Sequence, residues 1–220
     1  MRFHIITIFP EIFTSYLKES IIGRAIKNKL ISVSFYNPRD FINAPKNNYK
    51  PVDDKPYGGG PGMVMRAEPL LKTVEAVLRK IKNKKSKILI INFIPSAEKF
   101  TTTFAKKISK KYTDVILICG RYEGIDARVD KILKTKKLSI GDYVLTGGEI
   151  PAMIIVDCVS RQMKGVLGNF ESLEEERVST SEVYTRPEKL IYKGKNYKVP
   201  KILLSGNHKK IEEWKGKNGK

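Results

Sequence analysis

Two hydrophobic periods alternate along the first 160 or so residues. HIITIF (4–9) is a nearly continuous apolar run of strand length. The residues after it, to about Lys29, fit two short helices broken near Ser20, and Ile31 to Tyr36 alternates as a second strand. From Ala67 to about Ile81, the apolar positions Leu70, Leu71, Val74, Val77, Leu78 and Ile81 fall at helical spacing. ILIINF (88–93) and VILICG (115–120) predict further strands, with helices over 97–110 and 124–133 behind them. A short strand then leads into 139–148, and 149–162 predicts another helix. Strands that alternate with helices in this way predict an α/β fold built on a mainly parallel sheet.

Two features break the regular pattern. Residues 37–66 are long, irregular and rich in Pro and Gly, and they contain PVDDKPYGGGPGMVM (51–65). A span of that length inside a folded domain is functional or disordered; a hairpin tip and a lid both fit it, and a lid carrying Tyr57 is the expectation. The second feature is the set of segments that follow three successive strands: FIPSAEKF (93–100), CGRYEGID (119–126) and SIGDYVLTGG (139–148). Ligands of open α/β sheets bind beyond the carboxyl ends of the strands. Glycines there allow backbone groups to approach a ligand closely. Three such loops predict a pocket lined mostly by backbone.

Composition narrows the partner. Hydrophobic content of 41% suits a globular protein, and 42 Lys+Arg against 23 Asp+Glu gives a net charge of +19. Such a field attracts phosphates and favours nucleic acid, although lysine also accumulates on solvated surfaces without a partner. No run approaches the roughly 18 consecutive apolar residues of a membrane helix. The apolar stretch at the start is short for a secretory signal and is followed by Glu11. Only Cys119 and Cys158 are present, both within apolar runs, which predicts reduced thiols and a cytoplasmic protein. Neither GxGxxG nor GxxxxGK[ST] occurs, since GGGPG (58–62) has the wrong spacing, and His4 and His208 stand apart, so no metal site is predicted.

Seven blocks then carry a resemblance: IITIFPEIF (5–13), PVDDKPYGGGPGMVM, ICGRYEGIDARV (118–129), SIGDYVLTGGEIPAM (139–153), SRQMKGVLG (160–168), YTRP (184–187) and VPKILLSGNHKKIEEW (199–214). In this order, and over nearly the whole chain, they resemble the bacterial tRNA (guanine-N1)-methyltransferase family. The resemblance implies an α/β fold of the SPOUT type with a deep trefoil knot at the cofactor site, and S-adenosylmethionine as methyl donor. It implies the guanosine just 3′ of the tRNA anticodon as target, and a homodimer whose active site is shared between subunits. It also raises Mg2+ as an assistant to the reaction. The implied organisation is a knotted donor-binding domain over 1–160, an acidic linker over 161–182 and a short C-terminal tRNA-binding segment over 183–220.

The same resemblance assigns residues. Gly120 and the run Ile140, Gly141, Asp142, Tyr143, Val144 and Leu145 would contact the donor, with Glu123, Gly147, Gly148 and Pro151 nearby. Glu123 could accept from ribose hydroxyls or sit near the sulfonium; read without the family, it could equally pair with Arg121 or Arg128. Asp142 could instead cap a turn. Methyl transfer from a sulfonium to guanine N1 needs a base for the N1 proton and a cation near O6. By resemblance Arg161 is the cation, and the family's catalytic aspartate falls on Glu176 of SLEEER (172–177), with Glu175 and Glu174 as alternatives. Taken alone, Arg161 would read as a helix C-terminal cation and the acidic run as a solvated linker.

Departures accompany the match. The first donor loop reads IPSA (94–97) where the family has a Ser-Pro-Gln-Gly type sequence, and only Pro95 fits. The linker after Gly168 is short, and six residues follow Trp214, so the basic 207–220 segment is expected to hold tRNA by charge. Two other functions stay open at this point: a knotted methyltransferase of another RNA base, and an RNA-binding module without chemistry.

Overall fold

A computed structural model describes residues 1–43, 50–81, 83, 85–168 and 182–217. Its contacts divide the chain into two units, Met1–Gly168 and Asn169–Lys220. In the first unit, five parallel strands lie in the order β2-β1-β6-β5-β7: β1 (Arg2–Ile6), β2 (Ser32–Tyr36), β5 (Ile88–Phe93), β6 (Asp114–Ile118) and β7 (Lys136–Leu138). All five residues of β6 are buried, as a strand covered on both faces requires. Phe3, Ile5, Val115, Leu117 and Ile91 point into one core. Ile6, Ile116 and Ile118 point into the other. This is the period-2 alternation of a sheet sandwiched between helical layers.

One layer carries α1 (Thr14–Lys18), α2 (Ser20–Lys27), α4 (Thr102–Lys111) and α6 (Glu149–Ser160). The other carries α3 (Ala67–Lys80) and α5 (Ala127–Leu133). The break expected near Ser20 is present: Glu19 is extended between α1 and α2, and Ser20 opens α2 with φ 51°. Within 37–66, Asp53–Asp54 (β3) pairs antiparallel with Val64–Met65 (β4), so the irregular span includes a small hairpin. Among the described residues no helix is long and apolar enough to cross a membrane.

Two predicted helices begin later than expected, and for the same reason. The 97–110 helix starts at Thr102, after Thr101 caps it by accepting from the Phe104 amide at 3.3 Å. Residues 98–100 are drawn out instead, because Ser139 N donates to Glu98 O (2.9 Å) and Phe100 N donates to Ser139 O (2.7 Å). The 124–133 helix starts at Ala127, because Gly124 and Asp126 bond the backbone of Met65 at 2.9 and 3.0 Å. Backbone pairing between loops outcompetes helix propensity at both positions.

At the amino ends of the strands, away from those loops, Asp114 is fully buried between Arg2 and His4. Arg2 Nε and Nη2 donate to it at 2.7 and 2.8 Å, the His4 ring lies at 3.0 Å, and Thr113 Oγ1 donates at 2.7 Å. Burial pushes this carboxyl up, but hydrogen bonds from Arg2, His4 and Thr113 together hold it well below the usual carboxylate range. A carboxylate depressed by folding adds stability above its unfolded pKa and loses it as pH falls through the folded value. Asp114→Asn should therefore cost about 2 kcal/mol at neutral pH, below the full cost of breaking a buried pair because Arg2 is half in water. Urea unfolding should show the gap to wild type narrowing below about pH 4.

Candidate functional site: a strand-end cleft

The loops after β5, β6 and β7 surround one cavity of about 410 Å³, within the range of small-ligand sites. Its position follows from the strand order. β7 is a three-residue edge strand next to β5, while the loop that leaves it ends against β6. There Gly148 N donates to Gly120 O at 2.9 Å, so the 139–148 segment passes from the sheet edge back to its middle. A Cβ on Gly148 would lie 2.6 Å from Cys119 Cα and 2.9 Å from Gly120 N, and backbone cannot step aside as a flexible side chain can. Only glycine permits this crossing. Helix α6 then starts directly from it, with Pro151 in the first turn.

A buried ion pair fixes the crossing. Glu149, 2% exposed, accepts from Thr7 Oγ1 at 2.8 Å and faces Arg121 Nε at 3.0 Å. Arg121 also donates to Thr146 O at 3.3 Å, and its guanidinium stacks 4.7 Å from the Phe9 ring centre. Burial, reinforced by Glu149, pushes the Cys119 thiol well above its ordinary value, so this cysteine is a packing residue rather than a nucleophile.

Of the residues expected at the donor, Gly120, Glu123, Ile140, Tyr143 and Val144 line the cleft. So do Leu145, Gly147, Gly148 and Pro151. Gly141 and Asp142 belong to the same loop but not to its lining; Asp142 is exposed and pairs with Lys99 at 2.5 Å. Tyr143 OH donates to Ile140 O at 3.2 Å, folding the loop on itself. The arginine pairing of Glu123 does not form, because Arg121 takes Glu149 and Arg128 takes Asp126. Glu123 is instead held by the glycine-rich loop: its amide donates to Met63 O at 2.9 Å, and a Cβ at Gly62 (φ +85°) would fall 2.6 Å from its Oε1. Arg161 is half-buried at the C-cap of α6 and is not part of the cleft lining. Glu174, Glu175 and Glu176 lie outside the described residues.

Several wall residues escaped the sequence reading. Asn92, 2% exposed, donates to Asp130 at 3.0 Å, and Asp130 also accepts from Thr135 Oγ1 at 2.5 Å with Lys137 Nζ at 3.3 Å. The signal was a lone amide inside the apolar run ILIINF, since a buried polar side chain requires a partner. Arg121 is expected from sequence only as a possible partner of Glu123; its pairing with Glu149, 28 residues on, leaves no local signal. Among the described residues no group of three or more His, Cys, Asp or Glu could hold a metal ion.

A parallel α/β sheet with a glycine-crossed, largely apolar cleft beyond its strand ends places this chain among α/β proteins with a small-ligand-sized site at the carboxyl ends of the strands. The family profile for tRNA (guanine-1)-methyltransferase TrmD matches residues 1–220. A tRNA (guanine-N(1)-)-methyltransferase of Clostridioides difficile is 47% identical over 98% of this chain and 90% of its own length. Its counterpart in Thermomicrobium roseum is 48% identical over 98% of the chain and 77% of its own. The crystal structure of tRNA (m1G37) methyltransferase from Aquifex aeolicus superposes with a TM-score of 0.76 at 41% identity, covering 98% of this chain and 87% of that one. The chain belongs to the tRNA (guanine-1)-methyltransferase family.

Gly148→Ala should break the crossing. Calorimetric titration with S-adenosylhomocysteine is expected to show at least a hundredfold weaker binding, on the order of 3 kcal/mol, as an overpacked backbone contact implies. Gly168→Ala, whose Cβ meets nothing within 4 Å at a backbone torsion open to any residue, should leave that affinity unchanged.

Proposed function

We propose that the protein transfers the methyl group of S-adenosylmethionine to N1 of the guanosine just 3′ of the anticodon in tRNA. The observation that carries the reading is the strand-end cleft, whose glycine crossing, largely apolar walls and volume fit a nucleoside-bearing donor of modest size. The donor supplies an electrophilic methyl on a sulfonium. The residues assigned to hold it are Gly120, Glu123, Ile140, Gly141, Asp142, Tyr143, Val144, Leu145, Gly147, Gly148 and Pro151. Ile140 to Leu145 offer backbone groups to the adenine edge, and Glu123 offers a carboxylate to the ribose or near the sulfonium.

The chain's own chemistry concerns the purine. A carboxylate, assigned to Glu176 with Glu175 and Glu174 as neighbours, takes the N1 proton. N1 attacks the methyl carbon as the carbon–sulfur bond breaks and a neutral thioether leaves. Arg161 stabilises the negative charge that develops toward O6. Holding the two reactants in line is the larger part of the task. The tip of the 51–65 loop, with Tyr57 fully exposed, closes over the cleft as a lid. Mg2+ would assist from outside the described side chains, among which no group of three or more His, Cys, Asp or Glu stands together.

The reading extends to assembly. Phe9, Ile12, Tyr16 and Ile150 leave large apolar side chains 38–50% exposed on residues 9–13, α1 and α6, which supports a homodimer that shares the active site. The return of the 139–148 segment to β6 supports a SPOUT-type trefoil knot there. Residues 1–160 form the donor-binding domain, 161–182 the acidic linker and 183–220 the tRNA-binding segment. Two free thiols, Cys119 and Cys158, suit work in the cytoplasm.

Labelled-methyl incorporation into a tRNA transcript tests the proposal. The unmodified protein should methylate it and should fail on a transcript with adenosine at the target. Arg161→Ala should lower the rate at least a hundredfold and Glu176→Gln by roughly 10²–10⁴, as for removed charge stabilisers and bases. No incorporation by the unmodified protein would contradict the reading.

A further inference from the structure

The second unit carries a feature that the methyl-transfer chemistry does not use. KLIYKGKNYK (189–198) forms an antiparallel hairpin, β8 (Lys189–Tyr192) and β9 (Lys195–Lys198). Lys193 and Gly194 make its two-residue turn with φ 48° and 74°, the doubly positive geometry that matches strand twist. Register places Leu190 opposite Tyr197 and Tyr192 opposite Lys195, so Leu190, Tyr192, Lys195 and Tyr197 share one face. Leu190, Tyr192 and Tyr197 are 55%, 59% and 52% exposed.

Every residue of both strands is exposed. A two-stranded ribbon is marginal in water without something to cover it. Charge decides what that cover is. Lys189, Lys193, Lys195 and Lys198 stand among ten residues that include no acid, and the Lys193 ammonium lies 5.4 Å over the Tyr192 ring. Protein interfaces deplete lysine at their cores. Tyrosine rings flanked by cations are the composition that holds unpaired nucleotides, with rings stacking on bases and lysines tracking phosphates.

We propose that the Tyr192–Tyr197 face of this hairpin is a stacking platform for unpaired nucleotides of the tRNA, with Lys193 and Lys195 neutralising their phosphates. The inference rests on the proposed tRNA substrate and adds a readout independent of the donor cleft.

The test uses the full chain in filter binding with a tRNA transcript across a salt series, alongside calorimetric titration of S-adenosylhomocysteine. Y192A/Y197A should weaken tRNA binding roughly tenfold or more, as loss of stacking does, with donor affinity and salt slope unchanged. Y192F/Y197F, which keeps the rings, should bind as wild type. K193Q/K195Q should reduce the slope of log affinity against log salt by about 1.4, two phosphates' worth on a single strand. Undiminished tRNA affinity in Y192A/Y197A would overturn this proposal alone, provided that the unmodified chain methylates tRNA. A loss of self-association in Y192A/Y197A by sedimentation, with intact tRNA affinity per dimer, would overturn it in favour of a protein contact. An unmodified chain that does not bind tRNA would overturn both this proposal and the functional reading.

Discussion

One backbone contact organises the functional end of this protein. Gly148 lies so close to Cys119 and Gly120 that no side chain fits between them, and its amide closes on the Gly120 carbonyl. That contact turns the loop from an edge strand back to the centre of the sheet. It closes the cleft on one side and launches α6 on the other. The Arg121–Glu149–Thr7 network locks it from within, at the cost of taking two charges out of water. A buried pair of this kind is weak evidence for stability. Its value here is to hold two loops and the chain's seventh residue in one arrangement.

Much of the fold was legible because sheet and helix leave different periods. The five strands of the parallel sheet and the six α-helices packed on it follow the alternation of apolar runs, and β6 reads as VILI because both of its faces are covered. The misjudged boundaries lie where loops pair with each other across long sequence distances. Lys99 beside Ser139 and Met65 beside Ile125 delay the helices behind them. Helical periodicity in 97–101 and 124–126 carries no trace of a partner 40 or 60 residues away, so local pattern could not have placed those starts.

The cleft itself was half legible. Strand-end loops rich in glycine marked where it would lie, and the run Ile140–Leu145 was singled out as a whole. Its internal division was not visible: Tyr143 turns back onto Ile140, while Asp142 leaves the wall for Lys99. Sequence spacing cannot choose between those directions, because adjacent loop residues differ only in backbone torsion. Arg121 illustrates the converse. Its block stands out in the sequence, yet its role depends on Thr7 and Glu149, which only the fold brings near.

The central claim is that the glycine-crossed cleft between Gly120 and residues 140–145 is where the methyl donor sits. A crystal structure of the protein with sinefungin, a non-transferable analogue of the donor, tests it directly. The account predicts the analogue between those two backbone segments, with its adenine against 140–145. Density for the analogue elsewhere on the protein, over an empty cleft, would contradict it.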